Sequence, residues 1–450
     1  MKDSISYLSL SGILGYGYAP VSLENALKAD LDFIGVDGGS TDPGPYYLGS
    51  GKGFVKRLQI KRDLSLILKP AKMRGIPVII GSAGGSGARP HVQTLLEIIT
   101  EIVREQHLSL KTAVIYSDLT PEFMKQAAAG HLFSCGGSPD FDPACINRLC
   151  NPVAQFGTDP LIEALKLNPD VIVAGRCCDT AVFASYPIWK GFDPGLSLHA
   201  AKIAECGALC ARPVGANDSL VVEIHRDHFL VEPPNPARTC TPDSVAAHSL
   251  YEQPDPNCFY EPEGKIDLSG CSFEQIAPRK VRISGSKLIP TDKKTTKLEG
   301  TVKVGYRSIT IGGLRDPSAV RHLDEIEKGV RAAVAESANF IREGEYSLRF
   351  LRYGLDAVTG GNENKPDTLP REVGLVIEAI APTQDQADAL LGLARSKALH
   401  QGFPDRKATA GNLAFPFSPS DFSGGAVYEF ALYHLTDLPL HFEPQIMVIE

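Results

Sequence analysis

The chain has 450 residues, room for two or three domains at ~150 residues each, so a single small module is excluded. Lysine plus arginine number 45 against 53 for aspartate plus glutamate, a net charge of −8, and the densest basic stretch, Lys52 to Arg62, holds only five cations. That balance excludes the counterion release that drives nucleic-acid binding and disfavours a polybasic membrane-surface protein.

No window approaches ~18 continuous apolar residues, and the N-terminus MKDSISYLSLSGILGYGYAP lacks a charged lead into an apolar core. Ten cysteines in 450 residues are too few for a disulfide scaffold. A cytoplasmic protein with reduced thiols is therefore expected.

In chain order, five short apolar runs alternate with amphipathic segments: Tyr7 to Leu10, Phe33 to Val36, Val78 to Ile80, Ala113 to Tyr116 and Val171 to Ala174. Val92, Leu95, Leu96, Ile99, Ile102 and Val103 fall at helical spacing between the third and fourth runs. This is the β-α-β pattern of an α/β fold, a doubly wound and mostly parallel sheet. A proline-rich stretch follows Pro213, then β-like alternation from Lys280 to Ile311, in which KLEGTVKVGYRSITIGG reads as strands and a hairpin. A helix is predicted from about Val320 to Ile341, a strand at VGLVIEAI, a helix from Gln384 to about His400, and two strands near Ala426 to His434. Residues 1–215 are thus expected to form an α/β domain and 216–450 a second, α+β domain; Asn362 to Pro370 reads as an exposed loop.

Ligands of open parallel sheets sit beyond the carboxyl ends of the strands, so the loops there carry the candidate site. After the third strand, Gly81-Ser82-Ala83-Gly84-Gly85-Ser86-Gly87 suits an anion, since glycines let backbone N–H groups approach and the following helix adds positive potential. The loop lacks the Gly-Lys-Ser/Thr ending of a P-loop and the G-x-G-x-x-G spacing of dinucleotide folds, so ATP and NAD are not expected. It serves equally as a tight turn. After the second strand, Asp37 is a candidate base, with Ser40 and Asp42 positioned to hold a substrate hydroxyl or simply a turn. After the fifth, Gly175-Arg176-Cys177-Cys178-Asp179-Thr180 offers a guanidinium to clamp a carboxylate and a carboxylate to act as base, or an Arg/Asp pair stapling the loop. In the second half, His248, two turns into a helix capped by Thr241-Pro242, is a candidate acid or base, or a packed core histidine. Arg307, Arg315 and Asp316 are candidates to line the same crevice, and Asn412 belongs to a structural loop. Cysteine, zinc and iron–sulfur spacings do not fit Cys135, Cys145 and Cys150; no cofactor is assigned, though aspartates could share a magnesium ion with substrate.

Together GSAGGSG, DVIVAGRCCDTAVFASYPIWKGFDPG, KIAECGAL, TCTPDSVAAHSLYE, KLEGTVKVGYRS and GNLAFPFSPSDF resemble the acyclic terpene utilisation (AtuA) family over roughly residues 5 to 437. The resemblance implies breakdown of branched terpenoid acids as CoA thioesters. It also implies a short C-terminal module that is missing after Ile446-Met447-Val448-Ile449-Glu450, hence a small separate subunit beside a homo-oligomer. It assigns no catalytic residue.

Three functions follow. The first is a lyase, a hydratase, dehydratase or C–C lyase, acting on a small hydroxy or unsaturated carboxylic acid or its CoA thioester. Ser82, Gly84, Gly85, Ser86 and Gly87 would cradle the anion, Arg176, Ser40 and Asp42 bind substrate, and Asp37, Asp179 and His248 move protons. The alternative is a non-catalytic subunit that binds an acyl-CoA or organic acid; a hydrolase using Cys177 or Cys178 is a third.

Overall fold

The fold is that of a computed structural model describing residues 2–215, 217–291, 293–360, 368–407 and 409–450. The five apolar runs are strands β1 (Ile5–Ser9), β2 (Phe33–Asp37), β3 (Val78–Gly81), β4 (Leu110–Ile115) and β5 (Val171–Ala174), all parallel, in spatial order β1-β2-β3-β5-β4. Both faces of these strands are buried, which is why each reads as an apolar run and not as an alternation.

The alternate side chains nevertheless sort by face. Leu8, Ile34, Val36, Val78, Ile80 and Val173 pack against helices α1 (Arg57–Arg74) and α2 (Arg89–Gln106). Tyr7, Phe33, Ile79, Ala113, Ile115 and Ile172 pack on the other face against α3 (Asp179–Trp189) and α4 (Pro194–Ala204). That two-sided cover is the doubly wound arrangement. Gly35 on β2 is required by it, because a Cβ there would lie 2.7 Å from a Phe183 ring carbon on α3.

The sheet continues beyond its parallel centre to ten strands. Leu220–Ile224, His228–Glu232, Lys280–Ser284 and Ser272–Ala277 add antiparallel beyond β1, and Gln445–Ile449 adds antiparallel to β4. The proline-rich stretch is not a linker: Cys258–Glu261, Gly264–Asp267 and Lys287–Pro290 form a small antiparallel sheet.

The chain divides into two compact units, one of residues 1–302 and 430–450 and one of residues 303–429. The boundary expected at 215/216 falls inside the first unit, because the strands that follow it extend the first sheet. The expected hairpin in KLEGTVKVGYRSITIGG is instead one strand, Thr296–Leu314, and Gly300 is absorbed as a register shift against Leu149–Gln155. In the second unit, Ser347–Tyr353, Val373–Ala381 and the later part of that strand pair antiparallel. The helices are Pro317–Arg321, Leu323–Ser337 and Gln384–His400. Asp421–Thr436 is likewise one strand where two were expected near Ala426 to His434. Most of the loop expected at Asn362 to Pro370, residues 362–367, lies outside the described residues.

Candidate active site

The loops after β2, β3 and β5 do meet. Gly87 is packed so closely on the β5 loop that a Cβ there would fall 2.1 Å from the Arg176 nitrogen, and its φ of +67° also favours glycine. The Ser82 hydroxyl accepts from Arg176 Nη1 at 3.3 Å and donates to the Cys177 carbonyl at 3.1 Å.

Arg176 is 3% exposed, and its guanidinium is already engaged. Nε donates to Glu299 Oε2 at 2.8 Å, and Nη1 reaches the Cys177 carbonyl at 3.4 Å as well as Ser82. Glu299, with no exposed surface, also accepts from the Thr41 hydroxyl at 2.7 Å and pairs with Lys297 at 2.9 Å. Burial works against ionising Glu299, but Arg176 and Lys297 outweigh it and hold the carboxyl down at about 2. The expected substrate clamp is thus a staple joining the β5 loop, the β2 loop and the strand from Thr296.

Beside this knot Asp37 is buried; its Oδ2 accepts from the Gly39 nitrogen at 2.8 Å and its Oδ1 has no hydrogen-bond partner. Burial, reinforced by the charge of Asp179, drives its pKa well above the ordinary carboxylate range.

A cavity of about 830 Å³ opens on the other side of Asp179. Asp179 and Thr180 supply its wall from the first turn of α3, where the helix dipole favours an acidic side chain. Asp179 Oδ1 is buried, lacks a hydrogen-bond partner and lies 3.8 Å from Arg176 Nη1. Lys202 and Glu205, at i and i+3 on the last turn and cap of α4, pair at 2.6 Å and line the cavity next. Glu261, whose Oε2 accepts from the Thr180 hydroxyl at 2.7 Å, completes the acidic wall.

Counting charge decides the state of this wall. Asp37, Asp179, Glu205, Glu261 and Glu299 are five carboxyl groups near three cations, Arg176, Lys202 and Lys297, and this crowding of carboxyls favours their protonated forms. Burial is the leading cause at each: it raises Asp179 against the pull of Arg176, raises Glu261 well above its ordinary range, and pushes Glu205 up to about 8 against the pull of Lys202. Lys202 stays charged, since Glu205 outweighs its own burial.

With this geometry in view, comparison with known proteins is informative on one point. The sequence pattern described as acyclic terpene utilisation family protein AtuA matches residues 49–414, most of the chain. The chain belongs to the acyclic terpene utilisation family. The match is shorter at both ends than the resemblance traced from the motifs. No curated protein and no solved structure matches the chain.

Of the residues singled out by sequence in this family member, Asp179 and Cys178 line the large cavity, and burial pushes the Cys178 thiol well above its ordinary range. Ser82 to Gly87 do not, and the loop's amides are partly consumed within the protein: Ala83 donates to Ala174, Gly85 to Ser82 and Gly87 to Ala83. Gly84 borders a separate cavity of about 180 Å³ beside His91, and the buried Ser86 hydroxyl has no partner. Ser40 and Asp42 bond each other at 2.7 Å in a surface turn, and Asp42 acts on Asp179 only through its charge. His248 is buried behind the wall, stacked on Tyr251; burial, then Lys202, lowers its pKa to about 4.

Cys177 is pushed up to about 12 by burial, a poor thiolate, and all ten cysteines are free. Among the described residues no group of three or more His, Cys, Asp or Glu could hold a metal, and no helix is long and apolar enough to cross a membrane. In the second unit Arg307 pairs with Glu378 at 2.5 Å, Asp316 caps a helix, and Asn412 donates to the Ala398 and Gln401 carbonyls.

Sequence reasoning missed Glu299, Lys202, Glu205 and Glu261. Lys202 and Glu205 had a signal, a Lys-x-x-Glu pair inside an otherwise apolar helix; Glu261 and Glu299 had none.

Proposed function

We propose that this family member is a catabolic enzyme, a lyase of the hydratase, dehydratase or C–C-cleaving kind, acting on a small hydroxy or unsaturated carboxylic acid or its CoA thioester in the cavity walled by Asp179, Glu205 and Glu261. One observation carries the proposal: a cavity of substrate size whose wall combines Asp179, whose Oδ1 accepts no hydrogen bond, with neighbouring carboxyls that burial pushes toward the protonated form.

Dehydration of a hydroxy acid needs a base for the hydrogen beside the carbonyl and an acid for the departing hydroxyl. Asp179 is the base. Glu205 or Glu261, in the protonated form, supplies the acid. The C–H and C–O bonds break, the C=C bond forms, water leaves, and the wall ends with the same number of protons redistributed among its carboxyls. The reverse sequence adds water.

The test is incubation of the purified protein with hydroxy and unsaturated carboxylic acids and their CoA thioesters, reading the gain or loss of one water, or fragment release, by mass spectrometry. Conversion of at least one acid or thioester is expected. Thermal stabilisation by these compounds with no conversion of any would overturn the lyase in favour of a binding subunit.

A further inference from the structure

With Arg176 committed to Glu299, the group that grips the substrate's negative end must lie elsewhere on the cavity. Four lysines line it, and three are each held against a carboxyl group. Lys202 pairs with Glu205 at 2.6 Å, Lys297 with Glu299 at 2.9 Å, and Lys293 with Asp437 at 3.2 Å while lying over the Phe133 ring. Lys265 makes no ion pair among the described residues. Asp255, whose charge reaches Lys265, is itself taken up by the Asn257 nitrogen at 2.8 Å and the Cys258 thiol at 3.3 Å.

Lys265 stands on Gly264–Asp267, directly opposite Tyr260 on Cys258–Glu261. Opposed residues of an antiparallel pair project from the same face, with Cβ atoms ~5 Å apart. Both residues line the cavity, and Glu261, which projects from the opposite face of the same strand, belongs to its acidic wall. An ammonium and a phenol hydroxyl thus share the lining of one cavity with the carboxyl groups of Asp179, Glu205 and Glu261.

We infer that Tyr260 and Lys265 form the anion anchor of the cavity, binding a substrate carboxylate by two donated hydrogen bonds and so directing the adjoining carbons toward Asp179 and Glu205. The inference rests on the lyase reading for what happens next but not for binding itself. It replaces Arg176 as the specificity-determining cation. The anchor selects a free carboxylate over its neutral amide, since a charged acceptor gains most from an ammonium donor.

The experiment measures binding of crotonate and crotonamide by ligand-detected NMR to the full-length protein and to Lys265→Ala, Lys265→Arg and Tyr260→Phe, with circular dichroism confirming the fold of each. The anchor predicts that Lys265→Ala weakens crotonate binding about tenfold or more, that Lys265→Arg stays within about threefold, that Tyr260→Phe falls between, and that crotonamide binds wild type and Lys265→Ala alike. Crotonate affinity in Lys265→Ala within about twofold of wild type overturns the anchor. A substrate whose turnover keeps its KM in Lys265→Ala also overturns the anchor while leaving the lyase standing. Weakened crotonate binding in a protein that converts no acid supports the anchor and ends the lyase.

Discussion

The Arg176 knot and the acidic wall of the cavity stand on either side of Asp179, are built from the same residue types, and differ in how far their charges are satisfied. Around Arg176 each charge meets its opposite: Glu299 takes the guanidinium, Lys297 and a threonine hydroxyl. Along the wall an oxygen of Asp179 has no hydrogen-bond partner, and Glu261 is held by the Thr180 hydroxyl and not by a cation among the described residues. A fully satisfied charged group has nothing left to offer a ligand and serves to hold loops together. An unsatisfied one costs stability and is kept where chemistry uses it.

The largest effect that would break this comparison is expected at Arg176. Arg176→Ala strands Glu299 as a buried, poorly compensated charge, at a cost of about 3–5 kcal/mol. Calorimetry should find a Tm drop of about 4–7 °C. A variant that melts like wild type and merely binds substrate weakly would return Arg176 to the role of clamp.

A smaller effect separates the two regions by pH. Glu299, held down at about 2, contributes stability that is complete above its unfolded pKa of ~4.3 and lost as pH falls toward 2. Glu205, pushed up to about 8, acts in the opposite sense, because the fold binds its proton more tightly than the unfolded chain does. Its contribution is complete below pH ~4.3 and is lost as pH rises through about 8. Between pH 5 and 9 the wild-type Tm should therefore fall by a few degrees, and the Glu205→Gln curve should be flatter over that range while both lose stability below pH 4. Parallel curves from pH 5 to 9 would place Glu205 among the satisfied charges.

The same contrast explains what was legible in the sequence. Five parallel strands stand out as apolar runs because burial on both faces leaves no room for polar side chains, and β5 runs from Val171 to Ala174 as read. The helix Gln384–His400 was likewise marked by its own periodicity. Asp179 was found because it follows a strand directly. The role of Arg176 was not, since its partner Glu299 is 123 residues away, in a stretch read as a hairpin. Nor was Glu261, because prolines around Cys258–Glu261 resemble a linker until Gly264–Asp267 pairs with it. The glycine loop misled for a physical reason: Gly87 is needed for contact with the Arg176 backbone, which produces the same composition as an anion cradle.

The central claim, that the wall works and the knot holds, is tested most directly by Asp179→Asn, assayed for folding and turnover on the same preparation. The account predicts a Tm within about 2 °C of wild type, since the buried Oδ1 accepts no hydrogen bond and meets Arg176 only at 3.8 Å, together with turnover reduced ~10²–10⁴-fold on whichever acid or thioester the wild type converts. A variant that loses its fold, or one that keeps wild-type turnover, would contradict it.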